Sequence, residues 1–245
     1  MTRRFSSFSP ARRAGVLATI AAALVAGGVL PIATSAGEAA VKIAPPAVDT
    51  TASATGMQTA VFAGGCFWGI QGVFQRVHGV VQAVSGYSGG AKETAVYELV
   101  GSGLTGHAEA VKITYDPKKV SYGTLLQIFF SVAHDPTQLN RQDPDSGPQY
   151  RSAIFYADAA QKETTERYIA QLDAARSYPK KIVTQVVPLA AFYPAEAYHQ
   201  DYLTLHPTSG YIARFDMPKI ANLKTMFPQQ FRAEPALVMA RAKSQ

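Results

Sequence analysis

The sequence predicts an α+β fold, a two-layer sandwich of helices packed on a mixed β-sheet and built as one domain. Two observations lead there. From Thr59 onward, stretches with period-two alternation of apolar residues take turns with stretches of period 3.6, and no segment repeats. A chain of 245 residues, 47% hydrophobic and 16% charged, is also large enough for one proper core. Each element then has one apolar face to bury, and alternating helices and strands bury theirs as layers.

Thr59 to Phe62 reads as a short strand that runs into Ala63-Gly64-Gly65. A helix follows, because Phe67, Ile70, Val73, Phe74 and Val77 fall on one face. Gly79 to Ser85 is the next strand, Gly86-Tyr87-Ser88-Gly89-Gly90 a loop, and Ala108 to Tyr115 a clearly alternating strand ended by Asp116-Pro117. Ser121 caps a helix whose inner face is Tyr122, Leu125, Leu126, Phe129 and Ala133. Ser152 to Tyr156 is a strand. Asp158 with Gln161 then opens a helix through about Ser177, with Tyr168, Leu172 and Ala175 inward. Ile182 to Val187 closes the series as a strand, and the expected core is ferredoxin-like.

The formal charge of +6 suggests nucleic acid until its distribution is read. Arg3, Arg4, Arg12 and Arg13 lie in the first 36 residues, which contain no acid; without them 19 basic residues face 17 acidic ones. No basic run with interleaved aromatics remains, so nucleic-acid binding is discarded. The basic start followed by an uncharged Ala/Gly/Val/Leu stretch from Ala14 to Ile32 has the form of an export signal, with small residues Ala33-Thr34-Ser35-Ala36 suited to cleavage. The expected organisation is a signal peptide over 1–36, a flexible Ala/Thr/Ser/Pro linker over 37–58, a catalytic domain over 59–228 and a C-terminal tail over 229–245. Export, to the periplasm, is the expected localisation. An uncleaved membrane tether is the alternative, although Pro31 and the low Leu and Ile content argue against a span.

Cys66 is the single cysteine. In an exported chain it forms no internal disulfide, which leaves a buried inert residue, a bond to another molecule, or a reactive thiol. Its position at a helix N-terminus, facing unpaired N–H groups and the positive end of the dipole, predicts a thiolate. Trp68, the single tryptophan, lies about 160° from the centre of its helix's apolar stripe. It either walls an apolar pocket beside the thiol or packs under a loop. Glu109 shares a strand face with Val111, Ile113 and Tyr115. Buried without a cationic partner it becomes a proton donor near neutral pH; as a strand-end residue after Gly106 it escapes to water.

Several strings then coincide in order: Gly65-Cys66-Phe67-Trp68-Gly69, Gly86-Tyr87-Ser88-Gly89-Gly90, Gly103-Leu104-Thr105-Gly106-His107-Ala108-Glu109-Ala110-Val111, Gly147-Pro148-Gln149-Tyr150-Arg151-Ser152 and Glu196-Ala197-Tyr198-His199-Gln200. Over roughly Ala60 to Pro228 the chain resembles the peptide-methionine (S)-S-oxide reductases, the type A methionine sulfoxide reductases. The resemblance implies that Cys66 attacks the sulfoxide sulfur and becomes a sulfenic acid, and that Glu109 protonates the departing oxygen. It implies that Tyr97 and Tyr150 hydrogen-bond that oxygen, that Phe67 and Trp68 hold the substrate methyl, and that Asp145 supports the cysteine.

The chain departs from many members of that family in having no second cysteine near its C-terminus. The sulfenic acid therefore has to be resolved by an outside thiol, a thioredoxin-like protein or glutathione. No bound cofactor and no metal are expected: Glu196 and His199 have the spacing of two ligands on one helix face, but no third is evident. His107, His134 and His199 are expected to make structural hydrogen bonds. The expected partners are oxidised proteins or peptides and the reductant, acting on a monomer. A cysteine hydrolase would have no use for an inward acid on the strand. A module that only binds oxidised methionine would need neither Cys66 nor Glu109.

Overall fold

The computed structural model describes residues 39–49 and 56–239. The expected signal peptide and its cleavage point lie outside these residues. Among the described residues no helix is long and apolar enough to cross a membrane.

The elements are, in chain order, strand β1 (Gln58–Ala63), helix α1 (Phe67–Gln75), strand β2 (Val80–Ser88), the single turn α2 (Tyr97–Val100), strand β3 (Ala108–Tyr115) and helix α3 (Tyr122–Ile128). There follow the short strands β4 (Arg141–Gln142) and β5 (Asp145–Ser146), strand β6 (Ala153–Tyr156), helix α4 (Ala159–Ala174), strands β7 (Gln185–Pro188) and β8 (Tyr193–Pro194), the turn α5 (Tyr202–Leu205) and helix α6 (Met217–Met226). The main sheet has six strands in the order β7-β6-β1-β3-β2-β8. All neighbours are antiparallel except β6 and β7, so the sheet is mixed. β3 is inserted between β1 and β2, with α1 connecting that pair.

The core lies between this sheet and the helices. Phe62 from β1 stacks against Phe74 of α1, Tyr122 of α3 and Phe129 just beyond it, with ring centroids 4.9 to 6.0 Å apart. Burying aromatics of that size contributes about 2–3 kcal/mol each, and tilted pairs add to it. Two caps form as their sequences predict: Ser121 accepts from the Thr124 N–H and Asp158 from the Gln161 N–H.

Four expectations change. β2 continues through Ser88, because pairing with β3 extends to Ser88↔Ala108 and the polar-looking Gly86-Tyr87-Ser88 is buried strand. α4 stops at Ala174, leaving Ala175 exposed as its C-cap, since Arg176 turns to φ 50°. The strand expected over Ile182 to Val187 begins at Gln185, and a further short strand, β8, follows it. Within the expected linker 37–58, residues 39–49 are no flexible tether but lie strapped across α3 and α4, and Gln58 already opens β1. Val41 exchanges hydrogen bonds with Ser131, Gln127 and Tyr168 donate to the carbonyls of Ile43 and Ala44, and Ile43 enters the core. With its peptide groups satisfied by the domain and one apolar anchor buried, this Pro-containing stretch needs no period of its own to be ordered.

Candidate active site

Cys66 is the N-cap of α1, reached through Gly65, whose φ of +93° requires glycine and whose missing side chain leaves room for Gln142. The thiol therefore stands where β1 ends and α1 begins. It lines a cleft with Gln142, Asp145, Tyr211, Phe215 and Lys219. Asp145, on β5, thus lies beside the cysteine as expected, accepting a hydrogen bond from the Tyr211 hydroxyl.

Glu109 is the second residue of β3 and is 3% exposed, which resolves its two sequence readings in favour of burial. Its carboxylate accepts the Phe67 N–H at 3.0 Å, one of the unpaired donors of the first turn of α1. Burial pushes its pKa up to about 8, with the charges of Asp145 and Asp216 adding to the rise and the Phe67 N–H opposing it. The acid form is therefore abundant at neutral pH.

The same surroundings overturn the expected thiolate. Burial, and then the negative charges of Glu109, Asp216 and Asp145, push the Cys66 thiol well above its ordinary value, against the Trp68 N–H, which favours the anion. Burial first, and then the carboxylates brought in from β3, β5 and the start of α6, outweigh one helix terminus. In the resting enzyme the sulfur carries its proton.

Tyr97 begins α2 and Tyr150 follows the Gly147-Pro148-Gln149 turn; both are half-buried. Burial and the charge of Glu109 raise both phenols, with Cys66 and Asp145 contributing, so these two hydroxyls remain proton donors around the thiol and the acid. Glu196 fixes Tyr97 in place, accepting from the Tyr97 N–H at 2.9 Å and from the Tyr87 hydroxyl at 2.8 Å. Phe67 is fully buried, its ring 5.1 Å from that of His199. Trp68 is half-buried and stacks flat on Tyr202, with centroids 3.9 Å apart at 13°, while Tyr211 meets it edge-on.

His199 makes the expected structural hydrogen bond, yet it also sits within the aromatic cluster. The Trp68 indole N–H donates to its Nδ1 at 3.2 Å, which places the imidazole proton on Nε2. Burial holds the ring neutral. His107 and His134 are scaffolding: His107 bonds Gly90 N–H and Ala91 O, and His134 bonds Phe129 O and the Ser152 hydroxyl. Among the described residues no group of three or more His, Cys, Asp or Glu is placed to hold a metal.

Sequence reasoning missed Tyr202, Tyr211 and the buried Asp216–Lys219 pair, 3.4 Å apart. Tyr202 opens a four-residue turn, Tyr211 stands just before a π-helical stretch over Ile212–Asp216, and Lys219 lies in the first turn of α6; the turn and the π-helical stretch are too short to carry a period. The Asp216 to Lys219 spacing was the one signal available.

A nucleophile, a buried acid, two phenol donors and an apolar aromatic wall suit reduction of a polarised oxygen on a soft centre. The family model for peptide methionine sulfoxide reductase matches residues 58–231. The chain belongs to this family. A peptide methionine sulfoxide reductase MsrA 2 of Mesorhizobium japonicum is 62% identical over 188 residues, covering 77% of this chain and 96% of that one. The MsrA 2 of Synechocystis is 47% identical, covering 79% and 92%. Among solved structures, methionine sulfoxide reductase A of Corynebacterium diphtheriae is 36% identical with a TM-score of 0.55, covering 65% of this chain and 80% of that one. Reduced Mxr1 of Saccharomyces cerevisiae is 32% identical with a TM-score of 0.56, covering 62% and 87%. This peptide methionine sulfoxide reductase is thus a thiol-dependent oxidoreductase that repairs oxidised methionine.

Proposed function

We propose that this enzyme reduces the S epimer of methionine sulfoxide through Cys66, with Glu109 as the acid. The single observation that carries the assignment of roles is the Phe67 N–H to Glu109 hydrogen bond, which ties a buried, protonatable carboxyl to the residue next to the thiol. The Cys66 sulfur supplies an electron pair to the sulfoxide sulfur while Glu109 gives its proton to the oxygen, assisted by hydrogen bonds from Tyr97 and Tyr150. A bond forms between the two sulfurs; the hydroxyl then passes from the methionine sulfur to Cys66 as that S–S bond breaks, so methionine leaves reduced by two electrons and Cys66 is left as a sulfenic acid. The thiol proton of Cys66 returns Glu109 to its acid form. Phe67 and Trp68 hold the methyl group, and Asp145 orients the surroundings of the sulfur.

With a single cysteine in the chain, completion requires a second molecule. One external thiol displaces water from the sulfenic acid to form a mixed disulfide, and a second thiol releases Cys66 and leaves as a disulfide. A thioredoxin-like protein or glutathione supplies these thiols. The basic, then apolar, first 36 residues support export to the periplasm, with a membrane tether as the alternative.

Dithiothreitol-driven reduction of the two epimers of a blocked methionine sulfoxide by the wild type and Cys66→Ser tests the reading. Loss of S-epimer turnover in the variant supports it; equal rates in the two proteins, or R-epimer preference, would overturn it.

A further inference from the structure

The described part of the C-terminal tail, through Met239, lies against the end of α1 and ends on one buried side chain, Asp201. Phe231 bridges Val77, the Arg232 N–H donates to Arg76 O, and the Ala236 N–H donates to Gln75 O, so the tail runs along the end of α1. Its last described turn then presents two backbone N–H groups to Asp201: Val238 to Oδ1 at 3.0 Å and Met239 to Oδ2 at 2.9 Å. The Gln75 amide donates to Oδ1 as well, at 2.6 Å. Asp201 is 1% exposed, so this carboxylate exchanges its water for three protein donors.

The backbone of Asp201 is held equally firmly and in an unusual shape. Its φ of 61° and ψ of 15° are left-handed, a conformation that a residue with a side chain keeps only when its surroundings impose it. Its N–H donates to Gln71 of α1 at 2.8 Å, and its carbonyl accepts from Thr204 and Leu205, closing the turn of α5. The next residue is Tyr202, whose ring lies flat on Trp68. Nothing in the reaction uses Asp201 or the tail, yet both converge on the residue that sets the outer face of Trp68.

We propose that Asp201 is a positioning residue: by clamping the Val238–Met239 turn it fixes the left-handed backbone that lays Tyr202 on Trp68, and so sets the shape of the apolar wall beside Cys66. The tail is then part of the substrate site at second hand. This rests on the reading above that Trp68 contacts substrate.

Trp68 is the single tryptophan, so intrinsic fluorescence reports its surroundings independently of any catalysis. Two variants are compared with the full chain: Asp201→Asn, which keeps a residue tolerant of the left-handed backbone but loses one charged acceptor, and a chain ending at Pro235, which removes the clamp's backbone donors. Circular dichroism confirms that each is folded, and Asp201→Asn keeps the test decisive if the shortened chain is not. Folded variants are expected to show Trp emission shifted to longer wavelength, about twofold easier acrylamide quenching, and KM for blocked methionine sulfoxide raised about three- to tenfold with kcat within about twofold. Unchanged emission and quenching would overturn the clamp. A changed emission with an unchanged KM would overturn the link from clamp to substrate. If the wild type reduces no methionine sulfoxide, the function proposed above fails, while the fluorescence still decides whether Asp201 holds Trp68.

Discussion

The Phe67 N–H donates to the Glu109 carboxylate at 3.0 Å, coupling the first turn of α1 to the buried edge of β3. One contact thereby sets the distance between nucleophile and acid. It also tempers the acid, since the donor favours the anion while burial favours the neutral form and wins, leaving Glu109 near a pKa of about 8.

Glu109→Gln keeps the acceptor for Phe67 and removes the proton. Single-turnover reduction of the S epimer is expected to slow by about 10²–10⁴-fold. In the wild type the single-turnover rate falls as pH rises through about 8, as the acid form is lost. Rapid-quench rates from pH 6 to 10 check both statements.

The same raised pKa has a consequence for stability. Glu109 titrates near 4.5 when unfolded and near 8 when folded, so its contribution is complete below the unfolded value and is lost as pH rises through the folded one. The loss is on the order of 4–5 kcal/mol at about 1.4 kcal/mol per pKa unit. Glu109→Gln is therefore expected to gain stability relative to the wild type between pH 5 and 9, measured by urea unfolding at a series of pH values.

Cys66 is raised by burial and by the charges of Glu109, Asp216 and Asp145. Its alkylation by iodoacetamide should rise with pH beyond the ordinary thiol range. Glu109→Gln removes the carboxylate with the largest effect on the thiol, so at pH 9 this variant should alkylate several-fold faster than the wild type, by mass spectrometry of the labelled protein. A slower variant would contradict the electrostatic account.

Much of this site was legible in the residues. The alternation of β3 placed Glu109 inward, the helical stripe placed Cys66 at an N-terminus and Trp68 off the core face, and the family resemblance joined Tyr97, Asp145 and Tyr150 to them. The ionisation of Cys66 was not legible, because Asp145 and Asp216 reach it from segments distant in sequence. Nor were Tyr202 and Tyr211, which stand on turns too short to show a period. The strap over 39–49 escaped for a related reason: its order comes from hydrogen bonds to its backbone and to Asp49 and from the packing of Ala40, Val41 and Ile43 on the core, which composition does not report.

That strap carries its own test. Ile43→Ala removes a buried anchor remote from Cys66 and is expected to cost about 2 kcal/mol. The corresponding fall in Tm is about 4–8 °C, with kcat unchanged, by calorimetry and steady-state assay.

The central claim is that the oxygen of the substrate passes to Cys66. Enzyme is mixed with one equivalent of the S epimer in the absence of any reductant, and the products are analysed by intact-protein mass spectrometry with and without dimedone. The account predicts one methionine per enzyme and Cys66 carrying one oxygen, trapped as the dimedone adduct. Methionine formed while Cys66 remains an unmodified thiol would contradict it.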